Sequence, residues 1–120
     1  MEKYDLETRL VMYASRCYEY SKKMIKVETF PVLSKQLYRS STSVALNYGE
    51  AQAAESQRDF IHKLRLSLKE LRETRVTLRI ISVSQLLPTT DLESLLSETE
   101  ELTSIFVSSI KTATANSKFK

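Results

Sequence analysis

QLYRSSTSVALNYGEAQAAESQRDFIHKLRLSLKELRETRVTL, residues 36–78, is the stretch that decides the fold. It reads as two helices joined by a tight turn near Glu55. Around the first half, Leu33, Leu37, Ser40, Val44, Asn47, Ala51 and Ala54 recur at steps of three and four, which puts them on one helical face. That face is small and polar for a core. Ser40, Ser41, Ser43 and Ala45 crowd its middle, so a neighbouring helix can approach closely there. The second half answers with Phe60, Leu64, Leu68, Leu71, Leu78 and Ile81. So short a turn makes the two helices antiparallel, and residues whose numbers sum to about 110 then sit level. Arg39 comes opposite Glu70, and Ser43 opposite Ser67. The expected register device is a partly buried Arg39–Glu70 pair within a polar network of Gln36, Arg39, Asn47, Glu50 and Glu70. Losing one partner of such a buried pair strands a charge at roughly 3–5 kcal/mol. The competing reading is an exposed pair worth about 0–1 kcal/mol.

Two further helices cover this pair. Before it, from about Asp5 to Val27, Leu6, Leu10, Tyr13, Cys17, Tyr20, Met24 and Val27 alternate steps of four and three. That is close to a 3.5-residue repeat and implies left-handed bundle packing. Cys17 falls on this stripe and reads as a small buried hydrophobe. Thr29-Phe30-Pro31 separates the first two helices, with Pro31 suited to a first helical turn. Gly49 inside the second helix costs about 1 kcal/mol against Ala, and a close helix contact would explain it. Ser56 is the expected N-cap of the third helix, which runs to about Leu86. Pro88 breaks the chain. Thr90-Asp91-Leu92-Glu93 then reads as a capping box, followed by an inner stripe of Leu92, Leu95, Leu96, Thr99, Leu102, Phe106 and Ala113. From residue 113 to 120 periodicity is lost and a frayed tail is expected. The fold class is therefore all-α, an antiparallel up-down-up-down four-helix bundle, with residues 1–120 as a single domain.

Composition sets limits on function. One Gly and two Pro in 120 residues leave little turn chemistry for hairpins. A lone Cys cannot form an intramolecular disulfide and fits a reducing, cytoplasmic setting. No apolar run approaches the ~18–20 residues of a membrane span, and the acidic, polar start MEKYDLETRL is unlike a signal peptide. The net charge of +3 is mild. There is no Gly-rich phosphate loop and no metal-spaced His/Cys cluster. Di-iron bundles pair Glu-x-x-His on two helices, which this chain lacks. No catalytic, metal or cofactor residue is expected.

Charge is distributed unevenly along the chain. From Arg58 to Arg79 there are seven basic and three acidic residues, and Arg58, His62, Arg65, Lys69, Arg72 and Arg79 form a stripe off the core face. Arg58, Arg65, Lys69, Arg72 and Arg79 are the candidate nucleic-acid contacts, although no aromatic side chains interleave them for base stacking. Leu66, Val76, Ile80 and Val83 are apolar on the same helix and off its core face, and they are the candidate oligomer interface. The fourth helix is acidic outside, with Asp91, Glu93, Glu98, Glu100 and Glu101 against Lys111. The third helix of one copy is thus expected against the fourth of a neighbour, a head-to-tail contact that closes into a ring. Charge pairing within one chain is the competing account.

The motif residues Gln36-Leu37, Arg39-Ser40, Ser43-Val44, Asn47-Tyr48 and Glu50-Ala51, then Asp59-Phe60-Ile61, Lys63, Lys69-Glu70 and Glu73-Thr74, resemble the signature of a bacterial four-helix-bundle family encoded in 23S rRNA intervening sequences. The resemblance covers about residues 33–78. It implies an up-down-up-down bundle assembled into a ring, commonly a homopentamer. The accessory variability protein of diversity-generating retroelements is similar in architecture, and it binds RNA and a reverse transcriptase through a basic surface. Two departures stand out: Gly49 where many relatives have Arg, and Val76-Thr77 in place of an aromatic pair. Two functions follow as expectations. One is a non-enzymatic homo-oligomer that binds RNA or DNA through the third helix. The other is a protein-interaction scaffold with a protein partner and no nucleic-acid role.

Overall fold

Residues 5–25, 31–84 and 89–117 are described by the computed structural model. They form α1 (Leu6–Ile25), α2 (Pro31–Gln52), α3 (Gln57–Ser84) and α4 (Thr89–Ser117), with no strand among the described residues. Each helix packs antiparallel on the next, and α4 returns to α1, which closes an up-down-up-down circuit. The expected all-α four-helix bundle is the observed architecture.

Local chemistry sets the helix starts. Asp5 caps α1, its carboxylate accepting from the Thr8 amide at 2.7 Å. Ser56 caps α3 as expected, with its Oγ accepting from the Asp59 amide at 3.0 Å. Pro31 opens α2, where its missing N–H costs nothing. At α4 the start expected from a Thr90 cap shifts two residues earlier. The helix already includes Thr89 and Thr90, and the Asp91 carboxylate is drawn to Lys23 Nζ on α1, 2.7 Å away. Val27, Phe30, Leu86 and Pro88 lie outside the described residues.

One contiguous core fills the bundle. From α1 come Leu10, Tyr13, Cys17, Tyr20 and Met24; from α4 come Leu92, Leu95, Leu102 and Phe106. Tyr48 of α2 meets Phe106 edge-on across the core, ring centroids 5.9 Å apart. Burial pushes the Cys17 thiol up to about 12, so at neutral pH it is a protonated packing group.

The α2–α3 seam differs from the apolar stripe read from sequence. Phe60 and Leu68 are only partly buried, whereas Ile61, Ser67, Thr74, Leu71 and Leu78 form the true inner face of α3. Ser67 donates to the Val44 carbonyl at 3.1 Å, and Ser40 meets Thr74 hydroxyl to hydroxyl at 2.7 Å. Small hydroxyl side chains from both helices occupy the seam, and they can be buried because each finds a backbone or hydroxyl partner.

Two expectations about ends and gaps are corrected. Helix α4 does not fray at residue 113. It continues through Ser117, with Ala113 buried and its carbonyl accepting from Gln57 Nε2 at 3.3 Å. Nor does a close helix contact explain Gly49. A Cβ there would meet only Glu7 Oε1 at 3.9 Å, ordinary contact distance. Gly49→Ala should therefore stabilise the protein by about 0.5–1 kcal/mol through helix propensity, read as a rise in the urea midpoint at constant slope. No helix among the described residues is long and apolar enough to cross a membrane.

Candidate nucleic-acid interface on the outward face of α3

Helix α3 turns its hydroxyl-rich face inward, so what lies about 180° away is fixed by the 3.6-residue turn. Arg58, His62, Arg65, Lys69, Arg72, Val76, Ile80 and Val83 follow one another at steps of four, three, four, three, four, four and three, and all are exposed. Arg79, also exposed, flanks that line. The basic stripe and the apolar residues are therefore one face. It is cationic along its N-terminal two-thirds and apolar at its C-terminal end. Val76, Ile80 and Val83 are 52%, 45% and 84% exposed, while Leu66 is half-buried and off this line.

Six of the nine other described lysines and arginines are held by carboxylates, and Arg16, Lys35 and Lys111 are not. Arg9 forks onto Glu98 at 2.7 and 2.9 Å and reaches Glu101 at 3.0 Å. Lys22 pairs with Glu19, Lys23 with Asp91, Lys63 with Glu50, and Arg75 with Glu100. Among the described residues, Arg58, Arg65, Lys69, Arg72 and Arg79 have no carboxylate within ion-pair distance. The same pairs occupy the acidic side of α4. Asp91, Glu98, Glu100 and Glu101 are all engaged by α1 or α3 of their own chain, which is the within-chain account of those charges.

The expected polar network divides in three. Arg39 does reach Glu70, at 3.4 Å, but its shorter bond is to Glu73 at 2.8 Å, and Gln36 accepts from Arg39 Nε at 3.2 Å. Glu73 is the member that sequence reasoning missed. It is one turn from Glu70 on the same side of α3, and that spacing was the available signal. Asn47 donates instead to Ser43 O within α2, and Glu50 pairs separately with Lys63. The Arg39–Glu70 pair is not a buried one: the Arg39 side chain is 48% exposed, and only Glu70, at 15%, is well covered. Long side chains carry the arginine to the rim of the seam, where such a pair contributes about 0–1 kcal/mol. Burial, then the Glu73 charge, pushes the Glu70 carboxyl up, while the bond from Arg39 holds Glu73 down.

A groove of about 840 Å³ follows the outward face. Arg65, Lys69, Arg72 and the acidic Glu73 line it beside Leu68, Val76, Thr77 and Ile80, with Leu33 and Gln36 contributed by α2 and Ile110 by α4. No three of His, Cys, Asp and Glu gather as a metal-holding group among the described residues.

Comparison with known proteins places this geometry in a family. The family described as 23S rRNA-intervening sequence protein matches residues 2–108. The chain belongs to that family. A crystal structure of a protein of unknown function from the S23 ribosomal protein family of Bacteroides thetaiotaomicron VPI-5482 is 31% identical, with a TM-score of 0.84 over 89% of this chain and 99% of that one. A comparison with curated proteins finds no match. The match of the 23S rRNA-intervening sequence family takes in α1 and most of α4, beyond the central motif that carries the resemblance in the sequence.

Proposed function

We propose that this member of the 23S rRNA-intervening sequence family is a non-enzymatic, self-associating bundle of the reducing cytoplasm that binds RNA or other nucleic acid through the basic part of α3. The observation that supports it is the row of unpaired cations. A cation already held by a carboxylate gains little from a phosphate. Arg58, Arg65, Lys69, Arg72 and Arg79 are each free to neutralise one and release its counterions. Repeating the row around an oligomer, a homopentamer by family resemblance, would add the fields of several copies. The test is a salt series of RNA binding. Reversal of Arg65, Lys69 and Arg72 to Glu should abolish binding, and neutralising the three to Ala should lower the magnitude of the log–log salt slope by about 2–3. Salt-insensitive binding, or none at low salt, overturns the reading.

The C-terminal end of the same face supports self-association. Ile80 and Val83, at the C-terminal end of the line, form an apolar strip that one bundle leaves wet. With Asp91, Glu98, Glu100 and Glu101 engaged in their own chain and Glu93 alone of these acids without an ion pair among the described residues, apolar contact rather than α3–α4 charge pairing carries this part of the proposal. Ile80→Glu should shift the light-scattering mass from oligomer toward monomer while helical circular dichroism is retained. A wild type that is monomeric at micromolar concentration refutes the assembly. The same strip supports the scaffold reading, in which the partner is a different protein. RNA-free complexes recovered with the tagged chain would favour it.

A further inference from the structure

We propose that the groove along α3 selects single-stranded over duplex nucleic acid, taking phosphates on Arg65, Lys69 and Arg72 and unstacked bases on the apolar floor of Leu68, Val76 and Ile110. The proposal rests on the nucleic-acid reading above and names the form bound. Three features of the groove lead to it.

The first is shape. A helix that reads a duplex must enter the major groove as a free ridge, and that groove, about 12 Å wide in B-DNA, admits one helix. Here the surface beside α3 is a hollow, lined from α2 by Leu33 and Gln36 and from α4 by Ile110. A hollow does not enter a groove. A-form RNA is less accessible still, because its major groove is deep and narrow.

The second is the composition of the floor. Duplexes present sugar and phosphate to a protein surface, which would leave Leu68, Val76 and Ile110 facing polar atoms with nothing gained. Bases splayed from a single strand bring apolar faces that this floor can cover. Aromatic side chains are absent from the lining, so apolar cover by Leu68, Val76 and Ile110 is the contact offered to a base.

The third is the arrangement of charge and floor. Arg65, Lys69 and Arg72 succeed each other along about 10 Å of helix, and they line the same hollow as the apolar residues, where the one carboxylate, Glu73, is held by Arg39 at 2.8 Å. One strand can therefore place its backbone on the cations and its bases on the floor at once. Gln36 lines the hollow as well, giving a base edge both a donor and an acceptor.

Fluorescence anisotropy with the full chain tests this, using one labelled mixed-sequence RNA of about 20 nucleotides, alone and annealed to its complement, at low salt. Single strand should bind at least about fivefold tighter than duplex, roughly the gain from covering one base. Val76→Ser, at an exposed position that the fold does not need, should remove most of that preference while leaving duplex binding unchanged. 2-Aminopurine placed in the strand should change its emission on binding. Equal binding of both forms, with 2-aminopurine emission unchanged, keeps the nucleic-acid reading and overturns this one. Binding of neither form overturns both. If Val76→Ser alters the light-scattering mass instead of the strand preference, the floor belongs to a second copy and the proposal fails.

Discussion

Phe106→Ala should be the most damaging single truncation in the bundle, lowering stability by about 3–5 kcal/mol. The ring is fully buried at the centre of α4 and receives Tyr48 edge-on from α2 across the core. Its removal leaves a cavity bounded by long helices that cannot collapse locally, since each is held along its length by its sequence neighbours. Both the lost transfer energy and the unfilled volume therefore count. Urea melts read it as a midpoint shift at constant slope. A cost below about 1 kcal/mol would mean that the ring is not the packing centre it is taken for here. Leu46→Ala, at a position 63% exposed on α2, is the control and should change little.

Ser67→Leu should be nearly as severe, for the opposite reason. Ser67 is fully buried where α2 and α3 meet, and its hydroxyl touches the Val44 carbonyl. That 3.1 Å bond shows how near the α2 backbone lies. Three added carbons have nowhere to go unless the helices separate, and separation would also part Ser40 from Thr74. Overpacking of this kind costs about 1–3 kcal/mol, occasionally more. Ser67→Ala removes the hydroxyl without adding bulk and should cost about 1 kcal/mol. The contrast between the two variants is the measurement. If Leu is tolerated as well as Ala, close approach is not what the small residues provide.

The fold was legible because its periodicity is strong. The stripes on α1 and α4 recur at three and four over several turns and match the buried residues almost one for one: Leu10, Tyr13, Cys17, Tyr20 and Met24, then Leu92, Leu95, Leu102 and Phe106. Helix α3 was harder. Its inner face mixes Ser67 and Thr74 with leucines, and a rule that looks for apolar residues rotates the face toward Phe60 and Leu68. Hydroxyls that bond to a helix carbonyl are cheap to bury, and hydropathy does not register this. Thr74 bonds Glu70 O in this way, and Thr99 bonds Leu95 O.

For the candidate site, sequence identified the residues but not their neighbours. Spacing alone put Arg58, Arg65, Lys69 and Arg72 on one face. That the face continues into Val76, Ile80 and Val83 follows from the same arithmetic, once Ser67 and Thr74 fix which way is inward. That Arg39 would choose Glu73 over Glu70 does not follow. One turn of helix separates the two acids, and a flexible guanidinium reaches either. The engagement of Glu98 and Glu101 by Arg9 was equally hidden, because α1 and α4 are far apart in sequence.

The α1–α4 pairing has a consequence for how the bundle breathes. Three of the four seams join helices adjacent in sequence; this one joins the first and last elements, and much of its outer edge is ionic. Arg9 spans Glu98 and Glu101, Lys23 meets Asp91, and Arg16 reaches Ser94, with the Tyr13–Thr99 hydroxyl bond lying behind them. Ionic strength weakens exposed pairs and leaves buried apolar contact intact. In concentrated salt the bundle should thus loosen along this edge first, with α1 swinging from α4 while α2 and α3 stay joined. Amide hydrogen exchange would then show α1 losing protection ahead of α3, and Cys17, chemically quiet in the closed bundle, would become the residue that reports each opening.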